Sequence, residues 1–221
     1  MNYLHIFICH YTKLIDRKKH IDEELSNLKF IKIHFVNEYD QESITNEIDK
    51  FFFLRSRSEW NKRVNYYVKS NGGGRELKKS EKSLCLKHYS AIKNILINNI
   101  DYALIIEDDI IFCDNFLDKL NNILKKIPDD WDLYYPNIYN KEYINNNYIM
   151  KRTHPATQGA YSYLINKKCC QQIINEIENN KIVNPIDFEY NWIFYKLNLN
   201  IYFENNQLIT HPKKFISSIA N

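Results

Sequence analysis

Glycine is scarce in this 221-residue chain, with four in all and three of them adjacent in "NGGGR" at 71–75. That stretch lacks the Gly-Lys-Ser/Thr a P-loop needs, so it reads as a connection and not as a phosphate cradle. Cysteine is limited to five residues, an odd number, mostly inside apolar segments and without CxxC spacing. This argues against a zinc site and for a reduced compartment. Despite abundant asparagine there is no N-x-S/T sequon, which points away from the secretory glycosylation machinery. A surplus of one charge is missing too: 30 Lys+Arg stand against 27 Asp+Glu, a net +3, scattered apart from short clusters at 17–19 and 78–82. No nucleic-acid or membrane-surface partner is expected from that balance. No run approaches the length of a transmembrane helix, and "YLHIFICHY" is too short for a signal core and is broken by His5 and His10. A cytoplasmic location is expected, bacterial or in the host of a virus.

What the chain does have is apolar material, 44% hydrophobic residues against 26% charged, enough for a sizeable core in one domain over 1–221. Residues 3–9 read as a buried strand. Asp16 is positioned to cap a helix carrying Ile21, Leu25 and Leu28 on one face, and "FIKIHFV" alternates as a second strand. Strand, helix, strand opens an α/β fold with parallel pairing. From Ser83 the spacing of Leu84, Ala91, Ile92, Ile95 and Leu96 predicts a helix with His88 on its apolar side, which leads into a strand at Tyr102–Ile106. Asp114 is placed to cap a helix with Phe116, Leu117, Leu120, Ile123 and Leu124, which ends before Pro128. Further on, "WDLYYP" reads as a strand, "NIYNKEYINNNYIM" as a polar excursion with a hairpin as one option, and "GAYSYLI" as a strand. Then come "NKKCCQQIINEIE" as a helix, "NPIDFEYNWIFYKL" as a turn into a helix, and "NIYFE" as a late strand.

The puzzle of the sequence is "YALIIEDDIIF", where an apolar strand runs into three successive carboxylates, Glu107, Asp108 and Asp109. In parallel α/β sheets ligands gather beyond the carboxyl ends of strands, where these acids fall. Strand alternation would bring Glu107 and Asp109 to one face and turn Asp108 the other way, toward backbone or hydroxyl donors. Oxygen ligands suit a hard cation, Mg²⁺ or Mn²⁺, which would relieve their repulsion. The plainer alternative is that the acids cap the next helix or pair with surface lysines.

Four blocks then carry a resemblance: the first strand with "LIDRKKHIDEEL"; "SLCLKHYSAIKNIL"; "YALIIEDDIIF"; and "QGAYSYLINKKCCQQII" with "NPID". In kind and order they resemble glycosyltransferase family 25, which includes lipopolysaccharide-type glycosyltransferases and collagen galactosyltransferase domains. Departures are Ser83 and Leu84 for the family's Gly-Cys, Lys87 for its Ser beside the His, and Cys169-Cys170 for its Gly-Ala. The resemblance implies a single-domain GT-A-type, Rossmann-like fold with a mixed central sheet flanked by helices, the donor half up to about residue 112 and the acceptor side beyond. It also implies Mn²⁺- or Mg²⁺-dependent, inverting transfer of a hexose from a nucleotide-diphosphate sugar, a UDP-sugar by expectation. The acceptor is then a hydroxyl of a glycan, a lipid-linked sugar or a protein.

On that reading Glu107, Asp109 and His211 are the expected metal ligands, and Cys9, His10, Arg17, His88 and Asp108 the expected donor-binding residues. Asp187 of the Pro-x-Asp turn is the expected base, with Glu189 as its substitute. Each has a plainer alternative: Asp187 as a helix cap, His211 as a structural His, His88 as a core His, Arg17 paired with Asp22 or Glu23. Trp131, Tyr134 and Tyr135 are candidates to stack on a sugar, with packing as their default. Two other functions stay open at this stage. One is a Mg²⁺-dependent phosphohydrolase, disfavoured because the first strand ends in Cys9-His10 without an Asp. The other is a binding scaffold of the same fold that has lost turnover.

Overall fold

The structure is a computed structural model and describes residues 3–53, 76–136, 149–151, 159–204, 206–212 and 215. In chain order the elements are β1 (Leu4–Cys9), α1 (Ile15–Ser26), β2 (Ile31–Val36), a 3-10 turn (Gln41–Ser43), α2 (Asn46–Phe52), α3 (Lys79–Ile97), β3 (Tyr102–Glu107) and β4 (Ile111–Phe112). There follow α4 (Phe116–Leu124), β5 (Leu133–Tyr135), β6 (Ile149–Lys151), β7 (Ser162–Asn166), α5 (Lys167–Asn180), α6 (Ile186–Leu197), β8 (Ile201–Glu204) and β9 (Ile209–Thr210). Seven strands form one sheet in the order β2-β1-β3-β7-β5-β8-β6, and β4 pairs with β9 in a separate ladder. The sheet is mixed as expected: β1 is parallel to β2 and β3, whereas β7 runs antiparallel to both β3 and β5.

Strand alternation explains the layers. Successive side chains leave a strand on opposite faces, and here both faces are apolar. Ile6, Ile8, Leu104, Ile106, Tyr134 and Leu164 meet Ile21 and Leu25 of α1 and Phe116 and Leu120 of α4. Phe7, Ala103, Ile105, Leu133, Tyr163 and Ile165 meet α3, α5 and α6 through Leu86, Ile92, Ile173 and Phe194. Strands that bury both faces read as continuous apolar runs, which is why β3 does. Fully burying Ile105 or Ile106 contributes roughly 2 kcal/mol each, so a charge at either position would unseat the strand that presents the acids.

Several local expectations need correcting. Asp16 is not a cap: α1 starts after Leu14, which makes no side-chain cap bond, and Asp16 lies in the first turn, where its charge complements the helix dipole. Asp114 is not a cap either, because the left-handed Asn115 occupies that place before α4. Leu28 lies beyond the end of α1 but still packs on the same core face. In the polar excursion, Ile149–Lys151 pairs antiparallel with β8; the rest of it, like "NGGGR", lies outside the described residues. Tyr134 and Tyr135 are buried packing residues, not a sugar platform.

Candidate active site at the acidic edge

β3 ends at Glu107, and Asp108 and Asp109 form a turn before β4. Alternation therefore stops one residue too early to send Asp108 away from Asp109. Both aspartates instead meet Arg17 of α1, whose Nη1 lies 3.0 Å from Asp108 Oδ1 and 2.7 Å from Asp109 Oδ2. Arg17 does not pair with Asp22, which binds Lys18 one helical turn away. Asp108 accepts a second contact from His10 Nδ1 at 2.7 Å, so its two oxygens are each engaged. His10, at 3% exposure, thus acts behind Asp108 and not at the cavity wall.

Asp109 is the half-used acid. Its Oδ2 takes Arg17 and also His211 Nε2 at 3.0 Å, while Oδ1 is buried without a hydrogen-bond partner. His211 reaches it because β9 pairs antiparallel with β4, Ile111 against Thr210, and so carries the next residue over the acids. The Asp109 hydrogen bond raises the His211 pKa above its usual value. Glu107 holds its proton more tightly than an ordinary carboxyl, first through burial and then through repulsion by Asp109, Asp187 and Asp108.

Asp187 is brought to the same edge from the first turn of α6. It is not the cap, since Pro185 holds that position without a side-chain bond. Its carboxyl accepts a backbone N–H from Ala160, and burial lifts its pKa to about 6 despite that bond. Glu189 is placed differently. At 1% exposure, its Oε2 accepts from Val183 N at 3.2 Å, Asn184 N at 2.9 Å and Asn184 Nδ2 at 3.0 Å. It ties down the turn that presents Asp187, and this removes it as a substitute base.

His88 is also corrected. It is fully buried, its Nδ1 2.9 Å from the Tyr163 hydroxyl and its ring stacked on Tyr163, and burial drives its pKa down to about 3. A neutral core imidazole of that kind does not face a donor. Cys9, Arg17, Glu107 and Asp108 do line a cavity of about 50 Å³, together with Tyr11, Gln41, Ser83 and Lys87. Its volume admits one group of a larger ligand. Lys87 is 2% exposed and ties the segment after β2, with Nζ 2.8 Å from Glu38 O and 2.7 Å from Asp40 Oδ1. Tyr11, Gln41 and the structural role of Lys87 were not foreseen. A lysine amid Cys85, Leu86, His88 and Tyr89 was the one visible signal, since a cation inside an apolar helix needs a partner.

The model of glycosyltransferase family 25 (LPS biosynthesis protein) matches residues 3–189. The chain belongs to glycosyltransferase family 25. As a member it is a glycosyltransferase, and its mixed sheet flanked by helices is the α/β fold class expected from the sequence. The phosphohydrolase alternative is set aside. No curated protein matches the chain. Among solved structures it is similar to A197 from STIV, at 9% identity over 99% of this chain and 98% of that one, TM-score 0.43. It is also similar to mouse xyloside xylosyltransferase 1, at 9% identity over 91% and 84%, TM-score 0.40. A glycosyltransferase involved in glycosylation of the major capsid of PBCV-1 aligns at 8% identity over 91% and 93%, TM-score 0.34. No helix among the described residues is long and apolar enough to cross a membrane.

The divalent ion expected from the sequence would have to find its protein ligands among these side chains. No group of three His, Cys, Asp or Glu side chains among the described residues is arranged to hold a metal ion, the expected set of Glu107, Asp109 and His211 included; Arg17 and His211 instead share Asp109 Oδ2. Two features nevertheless fit a cation: the buried, unpartnered Asp109 Oδ1, and the gathering of Asp108, Asp109 and Asp187 near Glu107, whose proton affinity burial and then their charge raise. Mg²⁺-type sites commonly take one or two carboxylates and leave the remaining positions to water and substrate phosphate.

Proposed function

We propose that the chain moves a hexose from a nucleotide-diphosphate sugar, a UDP-sugar, to a hydroxyl of a glycan, a lipid-linked sugar or a protein acceptor, with inversion at the anomeric carbon. It works as one domain over 1–221, with the donor held on the side up to about residue 112 and the acceptor beyond. The observation that carries this reading is Asp187: a carboxyl with a pKa near 6, from a distant helix, close enough to Glu107 to raise its proton affinity. At neutral pH such a group is ionised yet poorly solvated, which suits a general base.

Asp187 takes the proton of the acceptor hydroxyl as that oxygen bonds to the anomeric carbon, and the bond to the diphosphate breaks with its electron pair passing to the leaving phosphate. Ala160 N–H fixes the carboxyl for this, and Glu189 fixes the turn behind it. Asp108 is held by His10 and Arg17 and keeps the edge rigid. Mn²⁺ or Mg²⁺ at Asp109, with water and the substrate's phosphates as its other ligands, would supply Lewis-acid stabilisation of the departing diphosphate.

The test is release of UDP from a panel of UDP-sugars with and without Mn²⁺, alongside calorimetric binding of UDP. Metal-dependent turnover in the native chain and its loss in Asp109→Ala, with metal-dependent UDP binding lost as well, is the expected result. UDP binding with no turnover of any sugar would favour a scaffold, and full binding by Asp109→Ala would place the ion elsewhere.

A further inference from the structure

Arg17 stands in an unusual place for a cation. It is 6% exposed, bridges two acids of a three-acid run, and carries the Phe215 ring 5.5 Å from its guanidinium carbon. Phe215 comes from the same terminal segment as His211, whose Nε2 shares Asp109 Oδ2 with Arg17. Without a positive group there, Glu107, Asp108, Asp109 and Asp187 would crowd one buried edge with a single hydrogen-bonding histidine on each aspartate of the turn. Charges taken out of water in this way are strongly unfavourable unless paired.

We propose that Arg17 is the built-in counter-cation of the acidic edge: it stabilises the edge in the metal-free protein and opposes a divalent ion at Asp109 until a diphosphate arrives. The inference rests on the proposed metal-and-diphosphate reading of this site and goes beyond it by assigning an order. An ion approaching Asp109 Oδ1 meets a carboxylate whose other oxygen already carries a guanidinium at 2.7 Å, so it binds against that positive charge. A diphosphate brings negative charge of its own, which offsets Arg17 and the ion together. Metal and nucleotide therefore bind as a pair, and metal alone binds weakly. Arg17 acts here through the acids, as a positioning and affinity-setting residue.

The experiment compares Mn²⁺ binding to the full chain, alone and with saturating UDP, for the native protein, Arg17→Gln and Arg17→Lys, with melting temperatures recorded in metal-free buffer. Arg17→Gln should bind Mn²⁺ alone at least about tenfold more tightly than the native chain, since a repelling unit charge beside the ion is gone. It should melt lower without metal and regain stability when Mn²⁺ is added, whereas Arg17→Lys should stay near native in both readings. Should Arg17→Gln fail to fold, Arg17→Gln combined with Asp109→Asn removes one charge of each sign and should fold, and Arg17→Gln should cost less stability in that background. Unchanged or weaker Mn²⁺ binding by Arg17→Gln, while UDP still promotes Mn²⁺ binding in the native chain, would overturn the counter-cation and leave the metal reading standing. A native chain that binds no Mn²⁺ even with UDP would overturn both. An unfolded double variant would overturn the counter-cation by showing that Arg17 is needed for packing and not for charge.

Discussion

Replacing Asp187 by Asn should make the protein more stable and its transfer chemistry fail, and both effects follow from the burial of one carboxyl. Burial raises the Asp187 pKa from 3.8 to about 6. A pKa displaced by one unit corresponds to about 1.4 kcal/mol between the two protonation states, so ionising this carboxyl in the folded chain costs about 3 kcal/mol. Asp187 is only partly buried, and solvent at its open side reduces the figure to about 2 kcal/mol. The sign follows from which state holds the proton. Below pH 3.8 the carboxyl is protonated folded or unfolded and costs nothing; between 3.8 and about 6 the unfolded chain ionises first, so stability falls as pH rises, and above that the cost is complete. Asn keeps an oxygen for the Ala160 N–H and never ionises. At pH 7.5 Asp187→Asn should therefore melt roughly 4–8 °C higher than the native chain, for a domain of this length. That gain should vanish near pH 4. Transfer should drop about 100-fold or more, the usual contribution of a general base, and native transfer should decline as pH falls through about 6, where the base is lost to protonation. Thermal melts across the pH range, beside acceptor-dependent UDP release, read both effects. A variant no more stable at pH 7.5, or one that still transfers within tenfold of native, would refute Asp187 as a buried base.

Glu189→Ala strands the two backbone N–H groups and the amide that Glu189 Oε2 now receives, and a loss of about 3 kcal/mol is expected in urea unfolding. An unfolding midpoint within error of native would show that water replaces the carboxylate freely. His88→Phe keeps the ring stack on Tyr163 and removes one partner of its hydroxyl, at a cost of about 1 kcal/mol. UDP affinity measured by calorimetry should be unchanged, and a marked weakening would return His88 to the donor site.

Much of the architecture was legible because both sheet faces are buried: runs such as Tyr102–Ile106 and Ser162–Ile165 announce themselves whatever their partners. The helices read well for the same reason, their apolar spacing being long. Caps did not, since Asp16 and Asp114 have the right side chain one or two residues from the position the backbone uses. In the site, the acids and Asp187 could be named from the strand end and the turn. Their partners could not. The expected split between Asp108 and Asp109 failed because a strand end one residue earlier converts alternation into a turn. Nothing local to Arg17 says that it crosses to β3, for its nearest opposite charges in sequence lie on its own helix. His88 looked like a site residue because family pattern and apolar face coincide there, and the three-dimensional packing decides for the face. The β9 strand has two residues, too few for any period, yet it determines where His211 lands.

The β4–β9 ladder also bears on how the protein is made. On the ribosome, Arg17 emerges before Glu107, Asp108 and Asp109, so the acids meet their counter-charge as soon as β3 can dock on β1. His211 is translated long after them and joins only when Ile209 and Thr210 have paired with Phe112 and Ile111. Domains form in step with synthesis where their contacts permit, so a nascent chain stalled before Ile209 would hold an acidic edge paired with Arg17 but without His211.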